Sequence, residues 1–140
     1  MSLKTKVTVV GAGYVGMSLA VLFSQYNDVA ILDVDPERVK KVNNRQSTVQ
    51  DELVDAFLAN KELTLTATLD KELAYKDASF IVIATPTNYD PDSNSFDTSL
   101  VDIVVKEALE INTEALIVIK STIPLGYSQA LQQKHGTRRI

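Results

Sequence analysis

Short apolar runs alternate along the chain with stretches whose apolar residues recur every three or four positions. The runs at residues 4–10, 29–33, 79–84 and 116–119 read as strands. The last two are continuous enough for burial in the middle of a sheet. Leu63-Thr64-Leu65-Thr66 alternates and reads as a short strand. Between these lie helical patterns. Residues 14–26 carry Val15, Leu19, Leu22, Phe23 and Tyr26 on one expected face. Asp35-Pro36 is a helix start, a capping side chain followed by a first-turn proline, and Asn43-Asn44 is the matching stop. Residues 50–60 form a helix on Leu53, Val54, Phe57 and Leu58, and residues 70–75 form a shorter one. Leu100, Val101, Val104, Val105, Ala108 and Leu109 mark another, and residues 126–134 a weak last one. Residues 85–97 are expected to be a polar loop. Strand–helix–strand alternation of this kind predicts an α/β fold with a parallel sheet.

The first strand runs directly into Gly11-Ala12-Gly13-Tyr14-Val15-Gly16, and the second ends on Asp33, seventeen residues after Gly16. Glycine spacing G-x-G-x-x-G between a strand and a helix, followed by a strand-terminal acid, is the dinucleotide-binding fingerprint in its proper context. Gly11 allows a tight turn, Gly13 lets the backbone approach a pyrophosphate, and Gly16 lets the helix pack closely on the sheet. The helix N-terminus, including the N–H groups of Tyr14 and Val15, offers donors and partial positive charge to phosphate. Asp33 is placed to accept from both ribose hydroxyls. It would repel a 2′-phosphate, so NAD is expected over NADP, even though Arg38 lies five residues on. The fold class is therefore a Rossmann-type doubly wound parallel sheet with helices on both faces. Thr137-Arg138-Arg139-Ile140 falls where such a sheet would begin another strand. Residues 1–140 are accordingly expected to be one NAD-binding domain, truncated before its last strands.

Composition narrows the field. A net charge of −4 with no long basic block argues against nucleic acid or an anionic membrane surface as partner. There is no cysteine, so disulfides, thiolate metal sites and a cysteine nucleophile are excluded on this chain. The single histidine, His135, is expected at the surface, and no metal site is expected. No apolar run is long enough to span a bilayer, and Met1-Ser2-Leu3 leads almost directly into the first strand. The expected location is the cytoplasm.

Three further stretches have candidate chemistry. Ala84-Thr85-Pro86-Thr87-Asn88-Tyr89 and Lys120-Ser121-Thr122-Ile123-Pro124 each follow a strand, at the end where open α/β sheets bind ligands. Residue chemistry alone fits either cofactor contact or a plain turn in both. Asp90 to Asp97 has acid spacing faintly like a calcium loop, but Ser95 stands where the loop needs glycine and Val101 where it needs glutamate. A polar turn is the better reading.

Taken in order, Val10-Gly11-Ala12-Gly13-Tyr14-Val15-Gly16, Asp33-Val34-Asp35, Ile83 to Tyr89 and Lys120 to Pro124 make the chain resemble the N-terminal part of the UDP-glucose 6-dehydrogenases, within the UDP-glucose/GDP-mannose dehydrogenase family. The resemblance covers nearly all of the chain. It implies a parent enzyme that oxidises a sugar alcohol to a carboxylate while two NAD⁺ are reduced, through a cysteine thiohemiacetal and thioester. It implies that Gly11, Gly13, Tyr14, Val15 and Gly16 hold the pyrophosphate, and that Asp33 and Arg38 flank the adenosine ribose. It further implies that Thr87 lies against the cofactor, and that Thr122 also positions the reactive water or substrate oxygen. The family's cysteine, lysine, asparagine, aspartate and glutamate lie beyond residue 140, so this chain alone is expected to be inactive. UDP-glucose is the expected substrate of the parent. GDP-mannose, a UDP-N-acetylhexosamine, or a non-catalytic dinucleotide-binding module are the alternatives. The family also implies a parent homodimer through a later helix, leaving this chain a monomer or weak dimer.

Overall fold

A computed structural model describes residues 4–140; the Met1-Ser2-Leu3 opening lies outside the described residues. The elements are β1 Lys6–Val10, α1 Tyr14–Phe23, β2 Asp28–Leu32, α2 Pro36–Asn43, α3 Glu52–Asn60, β3 Leu65–Thr68 and α4 Lys71–Tyr75. They continue with β4 Phe80–Ile83, β5 Asn88–Asp90, β6 Ser95–Asp97, α5 Ser99–Ile111, β7 Leu116–Ile119 and α6 Tyr127–His135. Five strands form one parallel sheet in the order β3-β2-β1-β4-β7. The chain leaves β1 in one direction to β2 and β3, then returns to the other side for β4 and β7. This reversal is the topological switch point of a doubly wound sheet.

The register brings the strand ends level. Val10 lies opposite Leu32 and Ile83, Leu32 opposite Thr68, and Ile83 opposite Ile119. Every loop leaving a carboxyl end therefore meets the others along one edge of the sheet. Apolar side chains fill both faces. Val9, Val29 and Ile31 pack with Met17, Ala20, Val21, Val54 and Leu58 on one side. Ile81, Ile83 and Ile117 pack with Ala74, Tyr75, Val101, Val105 and Leu131 on the other.

Four expectations need correction. Helix α1 stops at Phe23, and it buries Gly16, Met17, Ala20 and Val21 rather than the predicted stripe; Val15, Leu22 and Tyr26 are exposed. Gly16 and Ala20 let the helix axis come close to the sheet, and Met17 and Val21 fill the core on either side of them. Strand β3 sits two residues later than predicted, but Leu63, Leu65 and Ala67 keep the predicted face buried. Strand β7 is not enclosed: it is the last strand of the sheet, and Leu116 is exposed. The polar loop at 85–97 contains an antiparallel hairpin, β5–β6, with Tyr89 edge-on to Phe96 at 5.2 Å between ring centroids. Its turn is made by Asp90, whose carboxylate accepts from the Asp92 N–H at 3.0 Å and the Ser93 hydroxyl at 2.9 Å. Those acids build a turn, as expected, and among the described residues no cluster suited to a metal ion occurs.

Side chains complete the other edge. The Asn43 amide donates to the Ala67 carbonyl at 3.0 Å and accepts from the Ala67 N–H at 2.8 Å. Arg45 donates to the carbonyls of Leu65 at 2.9 Å and Leu63 at 3.2 Å. Together they occupy backbone groups that an unpaired edge strand would offer to another chain. Helices α2, α3 and α4 each begin at an aspartate whose carboxylate accepts from first-turn N–H groups: Asp35, Asp51 and Asp70. No helix among the described residues is long and apolar enough to cross a membrane.

Candidate dinucleotide site

The level strand ends open into a cleft of about 570 Å³. Its walls come from the loops after β1, β2, β3, β4 and β7 and from one side of α5. Gly11, Gly13, Tyr14, Val15, Asp33, Arg38, Thr87 and Thr122 all line it, although they are spread over more than a hundred residues of sequence. Gly16 does not. It sits behind the loop, where an added Cβ would lie 1.8 Å from the Gly11 carbonyl oxygen. The chain can only cross itself there if residue 16 has no side chain.

The two remaining glycines differ in kind. Gly11 has φ +105°, and a Cβ on it would lie 2.7 Å from the Ala84 carbonyl oxygen, so both backbone conformation and space demand glycine. Gly13 has an ordinary φ of −85°, and a Cβ there would meet nothing within 4 Å. Nothing in the protein requires glycine at 13. Only a ligand lying against that backbone would.

Helix α1 starts at Gly13 with no side-chain cap, unlike the aspartate-capped α2, α3 and α4. Its first bonded amide is Met17, which donates to the Gly13 carbonyl at 2.9 Å. The amides of the preceding turn have no intrahelical acceptor, and Gly13, Tyr14 and Val15 line the cleft. Uncapped donors with positive helix-end potential suit an anion. Tyr14 and Val15 stand exposed beside them.

Asp33 is buried, and its carboxylate already does structural work. Oδ2 accepts from the Ala12 N–H at 2.8 Å, and Oδ1 from the Asp35 N–H at 2.9 Å. It thereby ties the end of β2 to the glycine loop. A carboxylate has about four acceptor sites, so room remains for ribose hydroxyls. The Arg38 guanidinium lies 3.6 Å from Asp33 and 3.9 Å from Asp35, half-exposed at the rim. It is paired with the two acids rather than free in solvent. On the other side of the switch point, the Ser121 hydroxyl donates to the Thr85 carbonyl at 2.7 Å and locks the loops carrying Thr87 and Thr122 together. Lys120 also lines the cleft.

Several contributors had no local signal. The Thr48 hydroxyl donates to the Ala12 carbonyl at 2.5 Å and braces the glycine loop from 36 residues away. Lys71, Tyr75 and Glu107 reach the cleft from helices α4 and α5. His135 departs from expectation in being half-buried, with Nε2 enclosed and unpartnered among the described residues, because α6 packs it toward α5.

The donor set fits a dinucleotide: uncapped amides and an open Gly13 for phosphate, a carboxylate for ribose, and hydroxyl-bearing loops beyond. Comparison with known proteins agrees. The family model for the UDP-glucose/GDP-mannose dehydrogenase family, NAD binding domain, matches residues 5–138. UDP-glucose 6-dehydrogenase of Streptococcus pneumoniae is 48% identical over 135 residues, covering 96% of this chain and 34% of that protein. The Campylobacter jejuni enzyme of the same name is 40% identical, covering 96% and 35%. A solved structure of the UDP-D-ManNAc dehydrogenase of Pyrococcus horikoshii superposes with a TM-score of 0.80 at 26% identity, covering 96% of this chain and 33% of that one. The chain thus spans about a third of the length of these relatives. With the model matched from residue 5 to 138 and the fold and cleft that go with it, this chain belongs to the UDP-glucose/GDP-mannose dehydrogenase family as an NAD-binding domain.

Proposed function

We propose that this chain is the NAD-binding part of an enzyme that oxidises UDP-glucose to UDP-glucuronate. The observation that carries the reading is Gly13, a glycine the fold does not need, at the open and uncapped start of α1 beside the Asp33 carboxylate. In this reading the amides of Tyr14 and Val15 take the pyrophosphate, with Gly11 and Gly16 holding the loop in shape. Asp33 takes the adenosine ribose, and Arg38 neutralises the cluster of acids at its rim. Thr87 and Thr122 contact the nicotinamide half, and Thr122 also orients the substrate oxygen or the water. The bound NAD supplies the oxidising equivalents. The chain supplies position, phosphate-binding donors and a hydroxyl at the reaction end. UDP-glucose is favoured over GDP-mannose and UDP-N-acetylmannosamine by the 48% identity to the Streptococcus pneumoniae enzyme.

Two experiments test this. The first is calorimetric titration of the chain with NADH and NADPH. Asp33→Asn is the milder variant: its amide oxygen can keep the bond from the Ala12 N–H while the charge and the bond from the Asp35 N–H are lost, whereas Asp33→Ala loses both bonds. NADH binding that is preferred over NADPH, and weakened in Asp33→Asn with the fold intact, supports the reading. Equal or absent binding of both removes it. The second is a chimera in which this chain replaces the matching third of the Streptococcus pneumoniae enzyme. NAD⁺ reduction with UDP-glucose by the chimera is the expected result, and a chimera that folds but reduces no NAD⁺ would remove the reading of this chain as the NAD-binding part of such an enzyme.

A further inference from the structure

The sheet is covered unevenly. Strands β4, Phe-Ile-Val-Ile, and β7, Leu-Ile-Val-Ile, are apolar at every position. Side chains along a strand alternate between the two faces of its sheet, and helices cover both faces of a parallel sheet. On one face Ile81, Ile83 and Ile117 pack with residues of α4, α5 and α6. The other face holds Phe80, Val82, Leu116 and Val118, of which Val82 and Val118 reach the cluster under α1, α2 and α3. Those three helices stop short. Helix α1 packs over β1 and β2, α2 over β3, and α3 against α1. Among the described residues no helix packs on this face over β4 or β7. Phe80 and Leu116, which pair in register, are therefore 41% and 43% exposed. Neighbouring strands lie about 4.8 Å apart, so the two side chains form one continuous apolar patch.

The backbone edge beside the patch is partly taken, because the Arg139 carbonyl accepts from the Ile117 N–H at 2.6 Å. That favours a helix laid on the face over a strand added at the edge. Phe80 and Leu116 each open their strand, so the patch lies at the opposite end of the sheet from the dinucleotide cleft. A partner seated there leaves the cleft open. We infer that this face of β4 and β7 is a docking surface for an apolar helix supplied by the remainder of the parent enzyme. Size argues for that occupant: this chain spans about a third of its relatives, so most of such an enzyme has to seat against this domain. The patch is where the domain leaves its own sheet uncovered. The inference rests on the reading of the chain as part of a larger dehydrogenase.

The test uses the chimera with the Streptococcus pneumoniae enzyme beside the isolated chain. Phe80→Trp adds a tryptophan to a chain that has none, and Leu116→Trp is a second probe on the neighbouring strand. Subtracting the spectrum of the unsubstituted protein isolates the emission of each probe, and circular dichroism checks each fold. In the isolated chain the emission should be red-shifted and quenched by acrylamide. In the chimera it should move to the blue and be quenched several-fold less. Equal quenching in both proteins, with the chimera active on UDP-glucose, would overturn the inference and leave the proposed function standing. Shielding in the isolated chain that grows with its concentration would give the face to a second copy and also overturn it. A folded chimera that reduces no NAD⁺ would remove the proposed function itself, and this inference with it.

Discussion

Replacing Gly13 and Gly16 by alanine, one at a time, separates what the fold needs from what the cofactor needs. At 16 the new Cβ would lie 1.8 Å from the Gly11 carbonyl oxygen and 2.9 Å from its carbon. Relief requires α1 and the loop to part by more than an ångström, and overpacking of this kind costs about 1–3 kcal/mol or more. For a domain of this size that lowers Tm by roughly 3–10 °C. At 13 the Cβ meets no protein atom within 4 Å, and φ is −85°. The small loss from alanine at a helix start and the entropic gain of Gly→Ala offset each other to within about 1 kcal/mol. The methyl, however, fills the space over the uncapped amides. Losing two hydrogen bonds to a phosphate at about 1.5 kcal/mol each weakens binding by roughly a hundredfold. Differential scanning calorimetry and NADH titration on the two variants read both quantities. Gly16→Ala should lose stability. Gly13→Ala should melt like the wild type and bind NADH at least ~100-fold more weakly. A Gly13→Ala chain that binds NADH within a few-fold of wild type would refute the placement of the pyrophosphate over residue 13.

Three other outcomes are expected. Asn43→Leu combined with Arg45→Ala frees the backbone edge of β3. It should cost about 1–2 kcal/mol and produce concentration-dependent association by light scattering, where the wild type shows less. Burial, and then its hydrogen bond to Asp102, push the Tyr127 phenol up from 10.0 to about 12. Its folded pKa lies above its unfolded one, so this stabilisation is complete below pH 10 and is lost as pH rises towards about 12; tyrosinate absorbance and circular dichroism should change together in that window, and Tyr127→Phe should flatten the dependence. The Ser93 hydroxyl and Asp92 N–H hold the Asp90 carboxyl below its ordinary 3.8, and Ser99 does the same for Asp97. Their contribution to the β5–β6 hairpin is present above the ordinary value and lost as pH falls through the lowered one. Hairpin amide protection measured by NMR should drop there before the sheet melts; a hairpin unchanged in acid would show that these bonds do not hold it.

Sequence alone carried the parts of this protein that depend on neighbours in the chain. The glycine spacing, the Asp35-Pro36 start and the apolar runs each act over a few residues, and each formed close to where it was read. Asp33 was legible as a strand-terminal acid because only its position after the second apolar run mattered. What waited for the tertiary structure depends on approach. Which stripe of α1 is buried was decided by how closely Gly16 and Ala20 let it come to the sheet, not by which residues were most apolar. Likewise β7 reads as enclosed from its composition, yet as the last strand of the sheet it buries Ile117 and leaves Leu116 exposed. The hairpin at 88–97 hid behind polar residues, because Tyr89 and Phe96 are apolar partners only once the turn has brought them together. Thr48, Lys71, Tyr75 and Glu107 carry no mark in the sequence. They belong to the cleft because parallel strands in level register, with helices on both faces, bring segments tens of residues apart to one edge of one sheet.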